Sequence, residues 1–118
     1  MSTAALAPTT ITLQVPGDLA TTSQVAMRMP FGGTITSCSL AVTTAPTGST
    51  LISAITVGAT NAATLTLPIS GLSVAGAMNA TAANHKFNAG DVVKFAVSQV
   101  GSTVAGSNAT VAFVVTQG

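Results

Sequence analysis

The sequence predicts an all-β protein, an antiparallel β-sandwich of jelly-roll or Ig-like type. Three observations carry that expectation. Short stretches in which apolar and polar residues alternate recur along the whole chain, the pattern of strands with one face in a core. Turn residues separate them about every 8–12 residues, the spacing of sandwiches and barrels. No window keeps helical periodicity over three turns.

The stretch from Lys86 to Thr116 states the pattern most clearly. It reads as a turn at Asn88-Ala89-Gly90-Asp91, a strand, the Gly/Ser/Asn-rich loop Gly101–Asn108, and a second strand. Val93, Phe95 and Val97 share one face of the first strand, and Ala109, Val111, Phe113 and Val115 one face of the second, because side chains alternate along a strand. The loop is long enough to return the chain antiparallel, so these two strands are expected to form a hairpin.

From the N-terminus, residues 1–10 read as an extended arm ahead of a single sandwich domain, 11–118. Thr10 to Val15 alternates Ile11, Leu13 and Val15 against Thr10, Thr12 and Gln14, which makes the first strand. Pro16-Gly17-Asp18 then reads as a turn. Ser23–Met29 is the second strand, with Val25, Met27 and Met29 on one face and Arg28 on the other, and Pro30-Phe31-Gly32-Gly33 ends it.

Thr34–Thr44 is the third strand. Cys38, Leu40 and Val42 share a face that Ile35 misses by one position, and a β-bulge near Thr36 or Ser37 would restore the phase. After the turn Ala45-Pro46-Thr47-Gly48, Ser49–Val57 is a strand with Leu51, Ile55 and Val57 on one face and Ile52 on the other. Ala63–Leu67 is a short strand, and Ile69–Val74 a further candidate. Gly76–Asn84 is the least determined stretch: its alanines allow a helical turn, while Gly71, Gly76 and Asn79 favour irregular chain. The expected product has seven to nine strands around Leu13, Val25, Ile35, Leu40, Leu51, Ile55, Phe95, Val97, Val111 and Phe113.

Charge is the unusual feature. Only 4% of the 118 residues are charged, against roughly 25% in ordinary soluble domains. Asp18, Arg28, Lys86, Asp91 and Lys94 are the whole set, Glu is absent, and the net charge is +1. That excludes the basic footprint of a nucleic-acid binder. The polar surface must be built from Thr, Ser, Asn and Gln, so much of it is expected to be covered by copies of the chain or by a partner. No window reaches the ~18 consecutive apolar residues of a membrane span, and the N-terminus lacks the basic and apolar regions of a signal peptide. The single Cys38 leaves no intrachain disulfide to form.

Candidate chemistry is sparse. His85 is the only histidine; a general base or metal ligand needs partners, and a surface or interface role fits it better. Asp91, after Gly90 and before a strand, is placed to cap a turn. Two aspartates are a thin basis for acid/base work, and the two carboxylates of a glycoside hydrolase are not on offer without Glu. No Gly-x-Ser-x-Gly elbow exists for a serine nucleophile. Cys38 reads as a small buried hydrophobe beside Leu40 and Val42. Gly32-Gly33 lacks the Lys-Ser/Thr pair of a phosphate loop. Asn79-Ala80-Thr81 and Asn108-Ala109-Thr110 match the glycosylation sequon, and without a secretory signal they read as coincidence. Alternating Thr lacks the regular repeat of an ice-binding face. No catalytic residue, metal ligand or cofactor is expected.

Two blocks carry a resemblance. Thr44-Ala45-Pro46-Thr47-Gly48-Ser49-Thr50-Leu51-Ile52 is followed by Ile55 and Gly58, and Phe87-Asn88-Ala89-Gly90-Asp91 leads through Val97-Ser98-Gln99-Val100-Gly101-Ser102 to Gly106-Ser107. In this order, each followed by a strand, they resemble a small β-sandwich domain of tailed-bacteriophage virion proteins. The chain departs from that pattern at Ser53 and Ala54, where an acidic residue would follow Leu51-Ile52.

The resemblance implies a building block of fibres, spikes or capsid decorations, without catalytic residues. A free-standing copy suits a capsid decoration (cement) protein on the virion surface, made in the host cytoplasm; the alternative is a tail or head fibre protein that binds a host receptor. The implied partners are the major capsid protein and the chain itself, as a homo-oligomer with a trimer favoured, with no nucleic acid and no membrane. Ala4, Ala5, Leu6, Ala7 and Pro8 of the arm are the expected contacts, because an extended segment can add a strand to a neighbour's edge.

Overall fold

The computed structural model describes residues 8–117. Ten strands form in chain order: β1 (Thr9–Asp18), β2 (Gln24–Arg28), β3 (Gly33–Ala41), β4 (Leu51–Val57), β5 (Thr60–Leu67), β6 (Ser73–Ala75), β7 (Ala77–Met78), β8 (Lys86–Phe87), β9 (Val92–Gln99) and β10 (Ser107–Gln117). A 3-10 turn, Ala82–His85, is the only helical element among the described residues. The strands make two sheets of five. One, sheet A, runs β1-β10-β3-β6 with β8 also on β3; the other, sheet B, runs β2-β9-β4-β5-β7. Every pairing is antiparallel, and the two sheets pack as an all-β sandwich.

The core is the alternation made solid. Ile35, Cys38 and Leu40 of β3, Val111, Phe113 and Val115 of β10, Leu51 and Ile55 of β4, Leu65 and Leu67 of β5 and Val93, Phe95 and Val97 of β9 are all buried between the sheets. Nine of the ten expected core residues are there, while Val25 is only half-buried, because β2 is a sheet edge with no strand beyond it. Met29, Leu19 and Phe87, outside or at the ends of strands, close the core.

β3 contains the expected bulge. Val114 pairs with Ser37 and Val115 with Ile35, so Thr36 is the extra residue. Its Oγ1 donates to the Val114 carbonyl at 3.1 Å, and Ile35 returns to the core face fully buried.

Several expectations are corrected. β9 and β10 do not form a hairpin: β9 is central in sheet B and β10 in sheet A, so Phe95 and Phe113 enter one core from opposite sides. Their connection crosses between sheets and takes its hydrogen bonds from the Thr43–Ser49 segment. Thr47 N–H donates to Val104 O at 3.0 Å, Thr103 N–H to Thr47 O at 3.0 Å and Ser107 N–H to Thr44 O at 3.2 Å. Gly101 is required at this crossing, since a Cβ would collide with the Val104 carbonyl and sit 2.8 Å from the Thr47 backbone.

Pro16-Gly17 is not a turn but a bulge within β1. Val15 pairs with Ala109 and Asp18 with Ser107, and the Gly17 N–H donates to Asn108 Oδ1 at 2.8 Å. Gly17 and Asn108 both take positive φ, 80° and 54°, the conformation these two residue types tolerate best.

Residues Pro68–Leu72 form a turn rather than a strand, with Gly71 N–H on Pro68 O at 2.9 Å, and β6 begins only at Ser73. The strand count exceeds nine because β6, β7 and β8 are two or three residues each, too short to show an alternation. Thr9 and Thr10, read as arm, already pair with Val115 and Val114 in β1. Pro8 is exposed just before them, and Ala4, Ala5, Leu6 and Ala7 lie outside the described residues.

Candidate interaction surface

The outer face of sheet A is built by the strand positions that alternate with the core. Register aligns them in rungs: Thr10–Val114–Ser37, then Thr12–Ala112–Ser39–Ala75, then Gln14–Thr110–Ala41–Ser73. None of these side chains is charged. A fourth rung, Thr116–Thr34–Lys86, brings the first charge at one end of the face. Sheet B differs: its outer rungs are Gln24–Ala96–Ala54–Thr64–Ala77, Ala26–Lys94–Thr56–Asn61 and Arg28–Val92, with Lys94 mid-sheet and Arg28 on the edge strand. A pleated surface of Thr, Ser and Ala with Val114 and Gln14 lacks the charges of the Lys/Glu-rich faces that keep proteins apart.

A second feature lies at one end of the sandwich. Ile69, Leu72 and Val104 are 50, 55 and 40% exposed. Ser70, next to Ile69, and Val104 are tied to the Pro46–Thr47 peptide, whose carbonyl accepts from Ser70 N–H at 2.9 Å and whose N–H donates to Val104 O at 3.0 Å, while Leu72 O accepts from Val42 N–H at 2.9 Å. Gln99 Nε2 donates to Thr50 O at 2.9 Å and Ser49 Oγ to Val100 O at 2.8 Å. The Thr44–Leu51 block and the Gln99–Ser107 block, distant in sequence, thus meet here.

The residues singled out for chemistry take structural roles. Asp91 Oδ2 accepts the Asn88 N–H at 2.8 Å while Asn88 O accepts the Asp91 N–H at 3.0 Å, so the carboxylate caps the turn before β9. His85 is half-buried, with Nε2 2.6 Å from the Asn79 carbonyl. A carbonyl only accepts, so Nε2 is the donor in this contact. Asn79 Nδ2 is engaged by the Asn61 carbonyl at 3.1 Å, and Asn108 Nδ2 by Thr43 Oγ1 at 2.9 Å, so both sequon amides hold loops together.

Cys38 is buried, and burial pushes its thiol above the ordinary value of 9.0 despite the opposing effect of a hydrogen bond from the Gly76 backbone. Ser53, at the position where the resemblance would place an acidic group, is fully buried with Oγ 3.3 Å from Leu65 O. A carboxylate there would lie in the core, and a buried charge without a partner is strongly disfavoured. Among the described residues no group of three or more His, Cys, Asp or Glu side chains could hold a metal ion.

Two shallow depressions lie among the described residues and bear on the candidate chemistry. One, about 390 Å³, is lined by Arg28, Met29, Pro30, Ala89 and Gly90; the other, about 170 Å³, lies over the β1 bulge between Gln14, Pro16, Thr43 and Asn108. Neither gathers an acid, a base and a nucleophile. No helix among the described residues is long and apolar enough to cross a membrane.

Sequence reasoning found the strand faces but missed the neutral rungs. They require the order β1-β10-β3-β6, which no local signal encodes. The low charge count was the available clue. No family model, no curated protein and no solved structure matches the chain.

Proposed function

We propose that this chain is a structural, non-enzymatic protein of a tailed-phage virion that binds the outer surface of the capsid and stabilises the shell as a decoration or cement protein. The observation that carries the reading is the outer face of sheet A, three rungs of uncharged side chains across β1, β10 and β3, two of them continuing onto β6. Such a face has no charge to desolvate, and it gains by close contact where a partner satisfies its hydroxyls and its Gln14 amide with hydrogen bonds. The phage setting rests on the two sequence blocks that resemble the phage domain, of which the Thr44–Leu51 and Gln99–Ser107 parts meet at one end of the sandwich while Gly58 and Phe87–Asp91 lie toward the other.

The action is passive. Each bound copy bridges neighbouring major-capsid-protein subunits and adds interface free energy, so a genome-filled shell is harder to burst. Ala4 to Pro8 lie ahead of β1 and supply a bridging strand to a neighbouring subunit. The protein works as a homo-oligomer on the shell.

A second reading has its own support. The exposed Ile69, Leu72 and Val104 suit a fibre protein that meets a host receptor end-on. Copy number decides between them. A stained gel of purified virions should show this chain at a stoichiometry comparable to the major capsid protein. A band at the level of tail components would refute the cement reading in favour of the fibre.

A further inference from the structure

The two flanks of the sandwich are finished differently. On one, the chain passes from sheet A to sheet B through β6, Gly76 and β7, which closes that side. On the other, β1 and β2 lie side by side as the two open edges. The strands forming the other edges are short: five residues in β2, three in β6, two each in β7 and β8. β1 has ten residues and pairs on one side only, with β10. Its other side presents a row of backbone N–H and C=O groups that no described strand meets.

Natural edges of this length carry lysines, inward-pointing charges, prolines or bulges that stop another strand from adding. β1 carries none of these from Thr9 to Val15; its Pro16-Gly17 bulge and Asp18 lie beyond. Beside the edge, Ile11 and Val15 of β1 and Val25 and Met27 of β2 are only half-buried, an apolar seam that an added strand would cover.

We propose that β1 is the self-association edge, and that a second copy of this chain adds its own β1 antiparallel across a two-fold axis. The strand is self-complementary for this. In a two-fold antiparallel pair centred on a residue, positions of equal parity face each other, so core-side residues meet core-side residues. Centring on Thr12 overlaps the whole uncharged run: Thr12 faces Thr12 of the second copy, Ile11 faces Leu13, Thr10 faces Gln14 and Thr9 faces Val15. Any other centre shortens the overlap or brings the bulge into it. No charge opposes a like charge, and hydroxyl and β-branched cross-strand pairs are favourable ones. The result is one continuous sheet through both copies, which doubles the neutral outer face. This pairing is independent of the shell-binding reading, since it concerns the edge of sheet A and not its face.

Light scattering on the purified chain over roughly a hundredfold range of concentration should show a monomer–dimer equilibrium. Thr12→Lys, at an exposed position, places two ammonium groups across the axis and should weaken association by at least about tenfold. Thr12→Cys should give a disulfide-linked dimer on mild oxidation, because directly opposed Cα atoms lie about 4.5–5.5 Å apart, within the disulfide range of about 4.4–6.8 Å. Thr10→Cys should not, because its partner is Gln14, and the wild type, whose one thiol is buried, should not. A monomer at every concentration, a trimer, or a dimer indifferent to Thr12→Lys would overturn the pairing, as would equal cross-linking at Thr10 and Thr12. Ser39→Lys, in the middle of the outer face, should leave the dimer intact, so failure of shell binding and failure of the edge pairing are separable.

Discussion

Gly76→Ala should destabilise the protein, and Cys38→Ala should relieve most of that loss. Gly76 is the residue at which the chain leaves β6 for the opposite sheet, and its N–H donates to the Cys38 carbonyl at 2.8 Å. A Cβ at this position would overlap Cys38 Sγ and lie 3.2 and 3.3 Å from Leu65 Cδ2 and Cγ. Cys38 is 6% and Leu65 0% exposed, so neither can swing into solvent. Overpacking a filled core costs about 1–3 kcal/mol. Gly76 does not occupy the left-handed region, so alanine recovers about 0.4–1 kcal/mol from the unfolded chain. The net loss is then about 0–2.6 kcal/mol, centred on about 1.3 kcal/mol.

Cys38→Ala alone should cost about 1 kcal/mol for the contacts it deletes. In the double variant the new methyl occupies the space the sulfur leaves, so the combined loss falls short of the sum by about 1–2 kcal/mol. Urea titration of the four proteins reads this directly: with a slope of about 2 kcal/mol per M, the coupling corresponds to a midpoint difference of about 0.5–1 M. Effects that add to within about 0.3 kcal/mol would refute the packing of the crossover against β3.

Phe113→Ala should cost about 3–5 kcal/mol, because the ring is fully buried at the centre of sheet A. That is a large fraction of a typical total of about 5–15 kcal/mol. Phe31→Ala should cost less than half as much, since Phe31 is half-buried against Phe87 with ring centroids 5.9 Å apart, and urea midpoints compare the two. The raised Cys38 thiol favours the protonated form in the folded state, so its contribution is complete below pH 9.0 and is lost as pH rises through the higher folded value. Unfolding free energy should therefore fall more steeply above pH 9.0 in the wild type than in Cys38→Ala; parallel curves would show that the sulfur is not desolvated.

What could be read from the sequence was local. Ile11, Leu13 and Val15, or Val111, Phe113 and Val115, announce a buried face because alternation is a property of consecutive residues. The bulge at Thr36 was legible for the same reason, since Ile35 was out of phase with Cys38 and Leu40. What failed was pairing between distant segments. Gly101–Asn108 looks like a hairpin loop, but its partners are Thr44 and Thr47, some sixty residues away. Pro16-Gly17 looks like a turn until Asn108, whose side chain accepts the Gly17 N–H, is known to lie opposite. The neutral face failed to show for the same reason. Thr12, Ala112, Ser39 and Ala75 are unremarkable singly and form a rung only through sheet order.

Co-sedimentation with undecorated capsids of the phage proposed to carry this chain tests the proposed role most directly. Wild type, Ser39→Lys and Lys94→Ala should be compared at about 0.05 and 0.5 M salt, where screening differs strongly. Wild type should bind with an affinity that changes by less than about tenfold between the two salts, because a face without charge has no ion pairs to screen. Ser39→Lys buries an unpaired ammonium in the contact and should lose more than about tenfold in affinity, while Lys94→Ala, on the opposite sheet, should bind like wild type. Full binding by Ser39→Lys, or wild-type binding that collapses at the higher salt, would contradict a shell contact made through the neutral face of sheet A.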